Sequence, residues 1–270
     1  MRIGIGVFVA VLLMVPRVSA AQAPATSGPP QLPRVYVDVN LLGYADPLGD
    51  SKTFEQYALK FGEVATFKAT YPEPSHSGGY PAYVGGGYMF SRGVGLGVSY
   101  SRMSRDSVVD LSAEVPHPTF FNASATGTIG TALSRKESAV HLSLAVVPVR
   151  SRRMEVRLMG GPSFFTLTGD MASEVEYEQT FNPLVPQNFI TIRGASKGAT
   201  SGSAIGFHAG ADVTYFVHRF VGIAVGVRYG QATVAVDTEP LSNLRQEFLV
   251  GSTTAFLGLR FRLGRAPLHQ

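Results

Sequence analysis

Val221–Tyr229, VGIAVGVRY, constrains this chain more than any other stretch. Val221, Ile223, Val225, Val227 and Tyr229 are apolar, while Gly222, Ala224, Gly226 and Arg228 between them are small or charged. A period of two is the mark of an extended strand with one apolar and one small or polar face. The pattern recurs along the chain in segments of about ten residues, the length at which a tilted strand crosses a bilayer core. It recurs in Val35–Tyr44, Ala65–Tyr71, Ala82–Phe90, Val94–Ser101, Val140–Val147, Met154–Gly161, Phe207–Tyr215 and Ala255–Leu263.

Alternation alone does not say which face looks inward. A water-soluble barrel with an apolar interior needs an outer face rich in Lys, Glu and Asn. Here the second face is mostly Gly, Ala and Ser with scattered Arg, Asp, Glu and His, which suits a narrow packed lumen. The apolar face then meets lipid. The predicted fold is therefore an all-β, antiparallel, up-and-down transmembrane barrel.

The connections alternate in length. Ser91–Gly93, Arg150–Arg152 and His218–Arg219 are tight turns, whereas Met103–Glu137 and Thr168–Thr200 are long and polar. Short turns on one rim and long hairpin loops on the other form the outer-membrane pattern. Eight strands result if Ala45–Gly79 is one external loop; ten result if Thr53–Phe61 and Val64–Tyr71 form a further pair. The clean alternation of Ala65–Tyr71 favours ten.

Met1–Ala20 reads as an export signal: Arg2, the apolar run Ile3–Val15 and the small-residue site Val18-Ser19-Ala20. Residues 21–33 read as a flexible linker, 34–264 as the barrel and 265–270 as a tail. No later stretch has the apolar length of a spanning helix. The formal charge of +4 falls to +2 without Arg2 and Arg17, and no Lys/Arg run marks a nucleic-acid surface. The chain has no cysteine, which excludes disulfides and thiolate metal sites, and no cofactor is expected.

Segments such as YVGGGYMFSRGVGLGVSYSR and GFHAGADVTYFVHRFVGIAVGVRYG, with the closing AFLGLRFRL, resemble the OmpA/OmpW-like group of small bacterial outer-membrane barrels. The resemblance spans Arg34 to Leu263. It implies residence in the outer membrane of a Gram-negative-type bacterium, among outer-membrane lipid and lipopolysaccharide. It also implies insertion by the outer-membrane assembly machinery, which reads an aromatic in the last strand; Phe261 stands there, with further residues after it. With no Trp, the interfacial aromatics fall to Tyr36, Tyr44, Tyr71, Tyr88, Tyr100, Phe164, Tyr215 and Tyr229.

Asp38, Lys68, Glu155, Arg157, His208, Asp212, Arg228, Arg260 and Arg262 fall on the inferred lumen face. Buried charges need partners, so these residues are expected to plug the lumen as a charge network. The competing reading is a narrow polar pore for small solutes. A membrane-embedded hydrolase is the third. His208 and Asp212 share a strand face about 13 Å apart, too far to bond. His141 and Ser143 share another face, but nothing supplies a triad at matching spacing. No enzymatic role is expected. Phe120, Phe121 and Phe181 lie at loop tips, where they either cap the barrel or meet an external ligand.

Overall fold

A computed structural model describes residues 34–48, 51–72, 82–237 and 245–263. The expected signal, linker and tail lie outside the described residues. Ten antiparallel strands account for nearly all of the rest: β1 (Val35–Pro47), β2 (Lys52–Lys60), β3 (Glu63–Tyr71), β4 (Ala82–Met89), β5 (Val94–Pro116), β6 (Ser124–Arg150), β7 (Met154–Phe181), β8 (Asn188–Phe216), β9 (Val221–Asp237) and β10 (Arg245–Leu263).

Eight of these close a ring in the order β1-β4-β5-β6-β7-β8-β9-β10, with β10 returning to β1. The first and last strands pair from Val35↔Leu263 to Pro47↔Ser252. The β2–β3 pair exists, as its alternation predicts, but it stands outside the ring. β3 pairs with β5 only high on that strand, from Thr66↔Glu114 to Thr70↔Asp110. Lys52 donates from β2 to the Glu247 carbonyl on β10. The hairpin thus bridges β5 and β10 above the short β4.

The two polar stretches 103–137 and 168–200 are long hairpins, as expected, and they continue β5–β6 and β7–β8 without a break. β7 and β8 run 28 and 29 residues, far beyond a membrane's thickness. At the opposite rim the turns are short. Ser91 Oγ accepts from the amides of Gly93 (3.2 Å) and Val94 (3.0 Å), and Ser151 Oγ accepts from Arg153 (3.3 Å) and Met154 (2.9 Å). A serine side chain closes these two turns by holding the next backbone amides, and the third, at His218–Phe220, is closed by backbone bonds between His218 and Val221.

The wall changes character along its length. In the lower half the apolar residues point out: Leu96, Val98, Leu142, Leu144, Val213, Ile223, Val225, Leu257 and Leu259 are all exposed. Outward apolar positions run from Met154 to Phe164 on β7 and from Ile205 to Tyr215 on β8. Ten residue steps cover about 33 Å along the strand and, at about 40° tilt, about 25 Å along the membrane normal. This matches the apolar band of an outer-membrane barrel.

Above that band the phase reverses. On β9, Val221 to Tyr229 face out at odd positions, then Ala232, Val234 and Val236 face in at even positions. On β5, Leu96, Val98 and Tyr100 face out, then Val109, Leu111, Ala113 and Val115 are buried inside. The hydrophobic core therefore sits in the extension. There Phe165, Leu167, Met171, Val234, Val236 and Val250 pack with Phe54, Tyr71 and Phe248. The residues follow their solvent: lipid outside demands apolar exteriors, and water outside demands apolar interiors.

Candidate functional site: the lumen

Inside the apolar band the inner face carries a network of buried charges. Arg260, only 1% exposed, lies at the centre. Its Nε donates to Asp38 Oδ1 (2.7 Å), its Nη1 to Glu155 Oε1 (3.2 Å), and its Nη2 lies 2.7 Å from Asp212 Oδ1. Arg157 donates from Nη2 to Asp38 Oδ2 (2.7 Å) and from Nε and Nη2 to Asp212 Oδ2 (3.0 and 2.8 Å). Arg262 donates to Glu155 Oε2 at 2.7 Å, and Arg150 lies 3.3 Å from the same oxygen. Asp38 comes from β1, Glu155 and Arg157 from β7, Asp212 from β8, and Arg260 and Arg262 from β10. The network spans the barrel's cross-section.

Aromatic rings back the cations. The Arg157 guanidinium lies 4.7 Å from the Tyr36 ring centre and that of Arg262 lies 3.4 Å from Phe216. Tyr36, Met89 and Val147 form a small apolar floor beneath. Neighbouring glycines leave room: a Cβ at Gly87 would lie 2.4 Å from both the Tyr36 hydroxyl and the Leu96 carbonyl oxygen.

A second polar layer lies above. Ser101 Oγ bonds His141 Nε2 (2.9 Å), His141 Nδ1 bonds Ser163 Oγ (2.8 Å), Ser163 Oγ bonds His208 Nδ1 (2.8 Å), and His208 Nε2 bonds Ser143 Oγ (2.9 Å). This chain of five side chains crosses four strands. Higher still, Arg105 (2.8 Å) and Arg135 (2.9 Å) converge on Glu137, whose other oxygen accepts from the Gly251 amide (3.1 Å). Gly251 holds φ at +111°, a conformation that suits glycine.

The structure thus places Asp38, Glu155, Arg157, His208, Asp212, Arg228, Arg260 and Arg262 on the inner face. Two expectations are corrected: Arg228 shares the inner face but has no carboxylate partner among the described residues, so it stands outside the charge network, and Lys68 leaves the inner face altogether. It projects outward from β3, 2.8 Å from Glu55. The β2–β3 hairpin stands in the extension, where Ala65, Phe67 and Ala69 turn inward, so its polar face is the outer one. Lys68's hydrogen bond holds the Glu55 carboxyl below its usual range. Tyr36 and Tyr71 also leave the interfacial set: Tyr36 is lumenal and Tyr71 is inside the extension. Tyr44's side chain lies outside the described residues.

At the outer tips, His117 Nδ1 accepts from the Thr119 and Phe120 amides, each at 3.1 Å. Phe120 and Phe181 set their rings edge-on to His117 at 5.1 and 5.5 Å. Phe121 is 78% exposed and Leu184 is 83% exposed. The β2–β3 turn adds Leu59 and Phe61, both exposed. Its two central residues, Phe61 and Gly62, have φ of +54° and +86°. Phe61 is strained there, since such turns favour Asn or Gly. Asn122 donates its amide to Glu63 Oε1 at 2.8 Å, joining this turn to the β5–β6 tip.

A closed antiparallel ring, apolar outside and charged within over one bilayer thickness, is a transmembrane β-barrel of the outer-membrane type. Among the described residues no helix is long and apolar enough to cross a membrane, and no cluster of His, Asp and Glu is arranged to hold a metal ion.

No protein-family model matches the chain, and no curated protein matches it in sequence. Among solved structures it is similar to Neisserial surface protein A, at 14% identity over 85% of this chain and 97% of that one, with a TM-score of 0.41. It is similar to the outer membrane protein OprG from Pseudomonas aeruginosa, at 11% identity over 87% and 99%, TM-score 0.42. It is also similar to the outer membrane protein AlkL, at 11% identity over 93% and 100%, TM-score 0.40.

Proposed function

We propose that this chain is an integral outer-membrane protein of a Gram-negative-type bacterium, with a lumen plugged by charge and a structural or surface-interaction role. The observation that carries the plug is Arg260, whose guanidinium bonds or pairs with Asp38, Glu155 and Asp212 from three other strands. A cation tied to acids around the ring leaves an ion no path without breaking several bonds. Planar-bilayer recording of the refolded protein tests this. The expected trace is silent or shows only brief openings; a steady open state overturns the plug in favour of a small-solute pore.

The surface role rests on the outer tips. Leu59, Phe61, Phe121 and Leu184 expose large apolar side chains where water demands polar ones, and Phe61 is held in a strained turn. Exposed patches and strained residues of this kind mark contact sites. Outer-membrane lipid and lipopolysaccharide surround the wall, and insertion uses the assembly machinery; nucleic acid is not a partner in this reading.

The reading assigns no catalysis. Both nitrogens of His141 and both of His208 already bond serine hydroxyls, so neither imidazole offers a free nitrogen to an outside substrate. Release of fatty acid or peptide by the purified barrel, lost on His141→Ala, would overturn this.

A further inference from the structure

Arg228 differs from the other lumenal arginines. Arg157, Arg260 and Arg262 all bond carboxylates. Arg228 has no ion pair among the described residues, and its Nε and Nη2 are shut off from solvent without a hydrogen-bond partner. Its guanidinium carbon lies 3.4 Å from the Tyr83 ring centre and 4.4 Å from that of Phe256. Two aromatic faces hold the plane in place, and the two donors on its edge meet no acceptor.

Nε–H and Nη2–H are the two parallel donors that grip a carboxylate in a bidentate fork. Leaving charged donors unmet in a buried site is costly, and cation–π contact offsets only part of that. The nearby acids are committed elsewhere: Asp38, Asp212, Glu155 and Glu137 each serve other arginines.

Arg228 lines a cavity of about 90 Å³. Asn40 is 3% exposed and also lines it. Neither its amide nitrogen nor its oxygen has a partner, and the Ser99 hydroxyl on the same cavity is likewise unbonded. Met103 and Phe165 supply apolar wall. A fixed cation with a planar fork, unused amide and hydroxyl groups, and apolar walls together describe a receptor for a small amphipathic anion.

We propose that this cavity binds a short-chain carboxylate, its two oxygens on the Arg228 fork and its alkyl end against the apolar wall. A cavity holds one water at about 10–15 Å³ by the same measure, so this one has room for a carboxylate of the size of acetate or propionate. The planar fork and apolar wall favour such a ligand over a halide.

The test uses the full refolded barrel in micelles and follows the Arg228 Nε–H signal by NMR. Propionate is titrated at constant pH and ionic strength, with propionamide and chloride as separate arms. The expected result is a saturable shift with propionate and none with the other two. Asn40→Ala breaks no internal side-chain bond and keeps the fork. It is expected to weaken propionate about fivefold, the loss of one hydrogen bond of about 1 kcal/mol. In Arg228→Gln, the propionate-dependent shifts of neighbouring amides are expected to vanish. No saturable shift at any concentration that leaves the barrel folded overturns the proposal. An equal response to chloride, or unchanged amide shifts in Arg228→Gln, overturns it as well.

Discussion

Replacing Asp38 with alanine strikes the network at a shared joint. Asp38 accepts from Arg260 on one oxygen and from Arg157 on the other, both at 2.7 Å. Each buried, charge-assisted hydrogen bond contributes about 1.5–3 kcal/mol. Asp212 still holds both arginines in the variant, so the loss stays below the sum of the two at its upper limit. The expected destabilisation is about 3–5 kcal/mol, the usual cost of orphaning part of a buried ion pair. Asp38→Leu with Arg157→Met removes one charge of each sign and leaves Arg260 on Asp212 and Glu155. It is expected to recover most of that loss, because apolar replacements of a buried pair are often neutral or stabilising. The assay is denaturant unfolding in lipid vesicles, followed by the gel mobility difference between folded and unfolded barrel. A single variant within 1 kcal/mol of wild type, or a double variant no better than the single one, refutes the reasoning.

Three other outcomes follow from the same structure. Val225→Arg, on the lipid face near mid-band, is expected to cost about 2–4 kcal/mol, whereas Thr233→Arg, on the same outward face two turns of the pleat above Tyr229, is expected to stay within about 0.5 kcal/mol; both are read by the same unfolding assay. Phe61→Asn, which suits the left-handed turn position, is expected to stabilise the β2–β3 hairpin by about 1 kcal/mol, seen as slower amide exchange in that hairpin. The Glu55 carboxyl is held low by Lys68, so their bond supports the hairpin above the ordinary carboxylate range and is lost as pH falls through the depressed value. Hairpin protection is expected to drop on acidification in wild type, and Glu55→Gln is expected to abolish that pH dependence.

Alternation in segments such as Val94–Tyr100 and Val221–Tyr229 was enough to read the barrel, its short turns and its lipid face. What it hid was the change of solvent along a strand. On β9 the apolar phase moves from odd positions at 221–229 to even positions at 232–236, and on β5 from even positions to Val109, Leu111, Ala113 and Val115. A phase reversal inside one continuous strand marks the exit from the bilayer. The hairpins themselves are legible in the sequence; that their apolar residues turn inward to form a core is not. The same oversight misplaced Lys68, because the rule that apolar residues face out holds only within lipid. Which acid meets which arginine was not legible at all, since Asp38 and Arg260 are joined only by barrel closure. Likewise, His141, Ser163 and His208 form one hydrogen-bonded chain only because register aligns three strands. That Arg228, unlike Arg157, Arg260 and Arg262, has no acid beside it among the described residues is a matter of packing between Tyr83 and Phe256, which no spacing reveals.

The central claim is that one strand carries a lipid-facing apolar stripe outside, a charged lumen inside, and a reversal above. Because the chain has no cysteine, single-cysteine variants from 221 to 236 on β9 can each carry one spin label in reconstituted barrel. Collision with oxygen reports lipid, and collision with a water-soluble nickel complex reports water. The account expects oxygen access at 221, 223, 225 and 227, nickel access at 231, 233 and 235, and low access to both at 224, 232, 234 and 236. Nickel access at 223 and 225, or oxygen access at 224, would contradict it.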